Sequence, residues 1–433
     1  MIKYPKKPSI DDFSPFVKDP EVRYGLPRET LFCKLCVESN QRPSTTLEHM
    51  NVPGKRKDPI KFDDGGICSA CRFAELKRNT NWQLREEELI DVCAKNRRSD
   101  GTFDCLVPGS GGKDSIYAAH LLKYKYGMHP LTVTWAPTLP TIWGQKNFRG
   151  WLNSGQDNIT VTPNPKTHRL LTRLALDNLY HPFQPFILGQ KSMAPKLASQ
   201  LNINLIFYGE HEAEYGSPIE NDELRLQNSS YFSSVVGDDI YFGGVNAKNL
   251  TEEFGLEKSD LRLYWPADQN LIEEKNIETH YLGYYLKWHP QGAYYFARDQ
   301  AGFEPAPERS PGSYNKYSSI DDKIDDLHYY TTAIKFGRGR ATEDASQEIR
   351  NGEITREEGV RLVHKYDLEF PSRFIPEILE YLTISPEEFS IAHQMFEEPE
   401  FTLQYFHDLT DASRSPHLWK YENTEWVLRD RVT

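Results

Sequence analysis

Apolar residues along this chain change their spacing several times, and each change marks an element. Cys105-Leu-Val107 is a short apolar run ending at Pro108-Gly109. Leu131-Thr-Val-Thr-Trp135, Asn158-Ile-Thr-Val-Thr162 and Asn204-Leu-Ile-Phe-Tyr208 are similar stretches, β-branched or apolar throughout. Runs of this kind bounded by turn residues predict buried strands. Residues 115–124, 170–179 and 191–201 instead carry apolar positions at helical spacing, and residues 86–98 set Leu89, Ile90, Val92 and Cys93 among charges, the pattern of an amphipathic helix. Strands alternating with helices require right-handed crossovers, hence an α/β fold with a doubly wound parallel sheet. Ligands of such sheets lie beyond the carboxyl ends of the strands. The loop after the first strand and Gly209-Glu210 after the fourth are therefore expected to converge on one pocket.

Elsewhere the pattern is less regular. Residues 1–30 are rich in proline and charge and predict an irregular lead-in. Residues 217–276 mix acidic and apolar positions without a repeat. Tyr281 to Trp288 is an aromatic-rich run, strand or buried helix, expected in the core. Residues 302–317 are rich in Pro, Gly and Ser and suit a junction. Residues 320–336 predict a helix, and 343–351 and 355–365 two shorter ones, with Thr355 and Glu358 spaced as a capping box. The remainder reads as helical with proline breaks and a polar, peripheral end. Three regions result: 1–80 with paired cysteines, 81–300 as the nucleotide domain, and 301–433 as a mainly helical region completing the site.

Candidate chemistry sits at the joints of this pattern. Ser110-Gly-Gly-Lys-Asp-Ser115 joins the first strand to its helix. A Gly-rich turn at a helix N-terminus presents several N–H groups and a positive dipole to an anion. It is not a Walker A loop, because Asp114 stands where that motif needs Ser or Thr. In Gly209-Glu-His-Glu-Ala-Glu-Tyr-Gly216 a carboxylate at the strand end is placed to hold Mg2+ against a triphosphate. Glu210 is the first candidate, Glu212 and Glu214 follow, and His211 reads as structural. Lys335-Phe-Gly-Arg-Gly-Arg-Ala-Thr342 interleaves three cations with two glycines, and Arg forks beside exposed backbone suit phosphate oxygens. Cys33-Lys-Leu-Cys36 and Cys68-Ser-Ala-Cys71 form two knuckles separated by 31 residues, a spacing wider than in most zinc ribbons. Four thiolates close a tetrahedral shell, so a structural zinc is expected. His49, between the knuckles, reads as a surface residue.

Composition narrows the class. The 433 residues carry a net charge of −12, which opposes a broad nucleic-acid footprint. No run approaches the ~18 apolar residues of a membrane span. Met1-Ile-Lys-Tyr-Pro-Lys-Lys-Pro8 lacks the apolar core of a signal peptide, and Cys-x-x-Cys pairs without a secretion signal favour metal over disulfide. A cytoplasmic protein is expected.

The Ser110–Ser115 loop resembles that of the ATP pyrophosphatases (PP-loop proteins), which split ATP between its α and β phosphates and adenylate a carbonyl oxygen. The knuckles, this loop, Gly209-Glu210 with Tyr215-Gly216, and Lys335–Thr342 running on to Ser346-Gln-Glu-Ile-Arg350 together resemble the N-acetyl sugar amidotransferase family over about residues 30 to 370. That resemblance implies a sheet of the adenine nucleotide α-hydrolase (HUP) type. It implies conversion of an acetamido to an acetamidino group on a bacterial surface sugar, either a nonulosonic acid of pseudaminic or legionaminic type or a diacetamido-uronic nucleotide sugar. ATP, Mg2+ and Zn2+ would be required. Ser110, Gly111, Gly112, Ser115 and Gly209 would surround the phosphates, with Lys113 adding charge. Asp114 and Glu210 would bind Mg2+, and Lys335, Arg338 and Arg340 would neutralise pyrophosphate or a sugar carboxylate. Asp114, Glu210 and Lys335 form the expected catalytic set. There is no Gly-x-Cys-x-Gly nucleophile context, and Ile2 follows Met1, so a built-in glutaminase is not expected; the resemblance implies a separate glutaminase subunit that delivers ammonia. A homo-oligomer is compatible with this reading. The alternative is a PP-loop tRNA thiolase, which needs a reactive cysteine, whereas Cys93 and Cys105 fall in predicted core elements. A nucleotide-binding module without turnover is a second alternative, opposed by the intact Asp114 and Glu210.

Overall fold

The computed structural model describes residues 1–216, 225–237 and 239–433, so part of the 217–276 stretch lies outside the described residues. Five parallel strands form the central sheet: β1 (Cys105–Pro108), β2 (Pro130–Trp135), β3 (Asp157–Val161), β4 (Leu205–Tyr208) and β5 (Glu278–Tyr281), in the order β3-β2-β1-β4-β5. Alternate residues point to opposite faces. Leu106, Leu131, Val133 and Ile206 enter one core, while Cys105, Val107, Leu205 and Phe207 enter another. Both faces are covered, which explains why the central strands read as continuous apolar runs. The doubly wound α/β fold expected from the sequence is the fold observed.

Helices α1 (Ser69–Asn79) and α2 (Trp82–Asn96) precede the sheet. Helix α3 (Lys113–His120) follows β1, α4 (Ile142–Asn153) follows β2, and α5 (Pro165–Leu179) with α6 (Gln184–Leu201) joins β3 to β4. Asn164 caps α5 through the Lys166 N–H, with Pro165 at the first helical position. The aromatic run resolves into the last residue of β5 and a single helical turn, Leu282–Tyr285. Helix α7 (Pro290–Ala301) then packs on α3 and α4.

Beyond the sheet, α8 (Ile324–Phe336) and α11 (Leu403–Ser413) build a further core around Leu327, Ile334, Ile378, Phe401 and Tyr405, while α9 (Arg340–Asn351) and α10 (Arg356–Tyr366) pack through Ala345, Val360 and Val363 on Val37 and Val432. Both halves of the Thr355–Glu358 capping box form. The chain end departs from the expectation of a polar periphery. It is a hairpin, β6 (Trp419–Glu422) with β7 (Glu425–Leu428). Trp419 is buried, and its indole N–H donates to the Ile334 carbonyl at 2.8 Å. The lead-in is irregular as expected, yet pinned, with Phe13 fully buried edge-to-face on Trp426. No helix among the described residues is long and apolar enough to cross a membrane.

Candidate active site

The order of strands reverses between β1 and β4, and both strands end at the same crevice. β1 runs into Gly109–Gly112 and α3 begins at Lys113. Gly111 takes φ +85°, and a Cβ there would stand 2.7 Å from the Phe148 Cα, so only glycine fits. Gly209, at the end of β4, approaches equally closely, since its Cβ would lie 2.6 Å from the Asp114 carbonyl oxygen. The two predicted motifs therefore meet, with Glu210 beside the first turn of α3.

Asp114 is held from two sides. Trp288, almost fully buried, donates its indole N–H to Asp114 Oδ1 at 2.8 Å, and the Lys113 ammonium pairs with Oδ2. Glu210 accepts from the Tyr215 hydroxyl at 3.0 Å. Burial, then the Asp114 charge, pushes the Glu210 carboxyl up to about 7. Two carboxylates that repel one another across a crevice fit a divalent cation. Ser115 Oγ donates to the Gly112 carbonyl at 3.0 Å, and the Ser110 hydroxyl lies close enough to the Asp321 carboxylate to favour its charged form, which sets the loop beside the segment before α8.

The other residues of the 209–216 segment divide by role. Glu214 is buried and paired with Lys77. His211 is buried, stacks on Phe73 and accepts from the Ala213 N–H, a structural histidine. Glu212 accepts from Gln227 at 3.0 Å and borders a cavity of about 170 Å3 with Tyr215 and Arg42.

The 335–342 stretch is not the open anion cradle expected from its sequence. Asp367 already accepts from the Gly339 and Thr342 N–H groups at 2.7 and 2.9 Å, and Ala341 N–H donates to the Gly312 carbonyl. Arg338 is clamped by Glu38 at 3.0 and 2.9 Å and also meets Glu343. Arg340 is buried over the Tyr329 ring at 4.3 Å and donates to the Ser318 carbonyl, leaving Nη1 without a partner. Lys335 lines a second cavity of about 370 Å3 rather than the Asp114–Glu210 crevice. No sequence signal links Glu38 or Asp367 to this stretch; both arrive by tertiary packing.

The knuckles close on one another. Cys33 Sγ lies 3.8 Å from Cys71 Sγ and Cys36 Sγ 3.7 Å from Cys68 Sγ, with all four within 4.8 Å. A tetrahedral ion with Zn–S bonds of ~2.3 Å separates its sulfurs by roughly 3.8 Å, so the set fits one four-coordinate metal. Arg350 reaches from α9 to Cys36 Sγ at 4.0 Å and to the Glu214 carbonyl at 2.8 Å, joining the cysteine module to the segment after β4. His49 is buried, against expectation, because its turn packs on α6.

Comparison with known proteins adds an independent observation. Residues 311–433 match the family described as LPS biosynthesis protein WbpG-like, C-terminal domain. The chain is 29% identical over 101 residues to an uncharacterized protein of Methanocaldococcus jannaschii, MJ1599, covering 23% of this chain and 31% of that protein. Among solved structures it is similar to a "predicted subunit of tRNA methyltransferase" from the same organism, with 18% identity, 45% of this chain, 74% of the other and a TM-score of 0.24. It is also similar to the U34-tRNA thiolase NcsA of Methanococcus maripaludis with its 4Fe-4S cluster, with 12% identity, 79% of this chain, 91% of the other and a TM-score of 0.29. The two structural likenesses are too distant to bear on function. The WbpG-like match fits a role in glycan biosynthesis, and it spans α8 and α9, the second of which carries Glu343, whose charge reaches Glu210.

Proposed function

We propose that this chain is an ATP-dependent amidotransferase that converts an acetamido group of a bacterial surface sugar into an acetamidino group. One juxtaposition carries the reading: the Ser110–Ser115 loop and the Asp114–Glu210 carboxylates meet at the strand-order switch, under a C-terminal region that matches an LPS biosynthesis family.

An amide oxygen is a poor leaving group, so ammonia cannot displace it directly. The amide oxygen attacks the α-phosphorus of ATP and pyrophosphate departs. Ammonia then adds to the imidate carbon, and AMP leaves carrying the former amide oxygen. The loop N–H groups, the α3 N-terminus and Lys113 would hold the phosphates as pyrophosphate charge develops. Mg2+, held by Asp114 and Glu210, would supply charge neutralisation. Trp288 and Tyr215 orient those carboxylates. A zinc ion on Cys33, Cys36, Cys68 and Cys71 would be structural, since four thiolates leave no open position.

Substrates of the nonulosonic or diacetamido-uronic classes, a cytoplasmic site of action and a separate glutaminase complete the proposal. A sulfur-transfer alternative needs an accessible thiolate. Cys93 and Cys105 are both buried, and burial pushes the Cys93 thiol up to about 11, which favours the amidotransferase. Purified protein with ATP, Mg2+ and ammonium should release pyrophosphate only when an acetamido sugar is added, and glutamine should not replace ammonium. Sugar-independent release, or release driven by tRNA and a sulfur donor, would contradict the proposal.

A further inference from the structure

The 370 Å3 cavity lies between the inter-knuckle segment, α6 and α8, and its charge is one-sided. Arg42, Lys57, Lys191 and Lys335 line it, with Glu48 as the one carboxylate of its described lining. Glu48 is already engaged by His181 at 3.3 Å and by Asn51 at 3.0 Å. The lysines meet neutral partners. Lys335 donates to the Leu179 carbonyl at 2.8 Å, Lys57 to Asn51 and Thr46 at 3.0 and 3.2 Å, and Lys191 lies over the Tyr231 ring at 5.1 Å. Burial, and then the facing Lys57 charge, depress the Lys335 ammonium to about 7, against a smaller opposing pull from Glu48. His328, on α8, leaves a buried Nδ1 without a partner. A protein of net charge −12 that gathers three lysines around a hole, with Glu48 as the one carboxylate of the described lining and Arg42 already paired with Glu38 at 3.6 Å, has built a focus for an oxyanion.

The cavity also adjoins the one that leads toward the active site. It shares Arg42, Thr45 and Lys191 with the 170 Å3 cavity that reaches Tyr215, and Tyr215 is hydrogen-bonded to Glu210. ATP phosphates belong at the other side of that junction, on the α3 N-terminus.

We propose that this cavity binds the oxyanion of the acetamido sugar, its carboxylate or its diphosphate, with Lys57, Lys191 and Lys335 as the specificity-determining cations. The inference rests on the amidotransferase reading and deepens it. A substrate spanning both cavities places its charge among the lysines and its neutral acetamido group beside Tyr215 and Glu210. The inter-knuckle segment, whose length exceeds that of a simple metal ribbon, is then the wall of the substrate site.

Calorimetric titration of the full chain tests this with N-acetylneuraminic acid (carboxylate only), UDP-N-acetylglucosamine (diphosphate only) and neutral N-acetylglucosamine, and with ATP as a control of folding. At least one anionic sugar should bind more tightly than the neutral one. Lys57→Gln and Lys191→Gln should each weaken that binding roughly tenfold or more while ATP affinity stays unchanged. The two anionic probes distinguish carboxylate from diphosphate recognition. Anionic sugar binding that survives in both variants overturns the cavity assignment and leaves the amidotransferase reading standing. Loss of ATP affinity in the variants overturns it too, by giving the lysines to the nucleotide. Failure of the wild-type chain to bind any anionic sugar overturns the cavity assignment, and sugar-independent pyrophosphate release in the same preparation is what separately overturns the reading.

Discussion

At the scale of single residues, Asp114 shows how the site is held. Its carboxylate is fixed by the Trp288 indole and the Lys113 ammonium, and its backbone oxygen sits where only Gly209 leaves room. Trp288→Phe keeps the ring and removes the donor. Turnover is expected to fall about tenfold, with a higher Mg2+ concentration needed for half-maximal rate; an unchanged Mg2+ dependence would show that the indole only packs. Gly209→Ala forces a Cβ toward the Asp114 carbonyl and is expected to cost ~1–3 kcal/mol, read from the urea midpoint.

Lys335 gives a pH signature. Its folded-state value of about 7 lies below the ordinary 10.5. Below pH 7 both folded and unfolded chains hold the proton, and the full burial cost is present. Between about 7 and 10.5 the unfolded chain holds a proton that the folded one has released, so this group's contribution to stability rises with pH across that window. Lys335→Met should flatten that rise in urea midpoints measured across the window, and an unchanged slope would contradict the assignment. Anion binding runs the other way, since it needs the ammonium.

Of these residues the sequence displays the loop, Glu210 and the four cysteines, because glycine spacing and paired thiols carry their own chemistry. Trp288 is masked by its aromatic run, where a core reading is natural. Glu38 and Asp367 are invisible, because each acts on a partner far away in the chain.

At the scale of elements, β1, β2 and β4 are legible as apolar runs because both of their faces are covered, and the half-exposed edge strand β3 through its β-branched residues. β5 is not, since Glu-Thr-His-Tyr looks polar. Its His280 is nonetheless fully buried, satisfied by the Tyr285 hydroxyl at 2.7 Å and by Glu278 at 2.9 Å. The terminal hairpin escapes for a related reason: it buries Trp419 and little else along its strands. The inter-knuckle segment hangs between two pairs of metal-ligand positions, so metal removal should loosen one wall of the basic cavity before it disturbs the sheet. Cys68→Ser or a strong chelator is expected to release about one zinc per chain and to raise hydrogen exchange across residues 42–57, with the β1–α3 loop still protected. Metal-free protein with unchanged exchange there would separate the knuckles from the cavity.

At the scale of the whole molecule, the chain is acidic overall and basic inside one cavity, a division that composition conceals. The C-terminal region is not an appendage. Ser110 lies beside Asp321, Arg350 reaches the cysteine module, and Lys335 lines the cavity from α8. The parallel sheet, the wall between the cysteine knuckles and a C-terminal region that matches a glycan-biosynthesis family thus surround two adjoining cavities, one reaching Tyr215 beside Glu210 and one lined by cations. The most direct test of the proposed chemistry follows the oxygen atom. An acetamido sugar substrate labelled with heavy oxygen at the amide carbonyl is turned over with ATP, Mg2+ and ammonium, and the AMP formed is weighed. Label in the AMP phosphate, together with an unlabelled amidino sugar, is the predicted result. AMP without label would mean that water, and not the amide, attacks ATP, and would contradict the account.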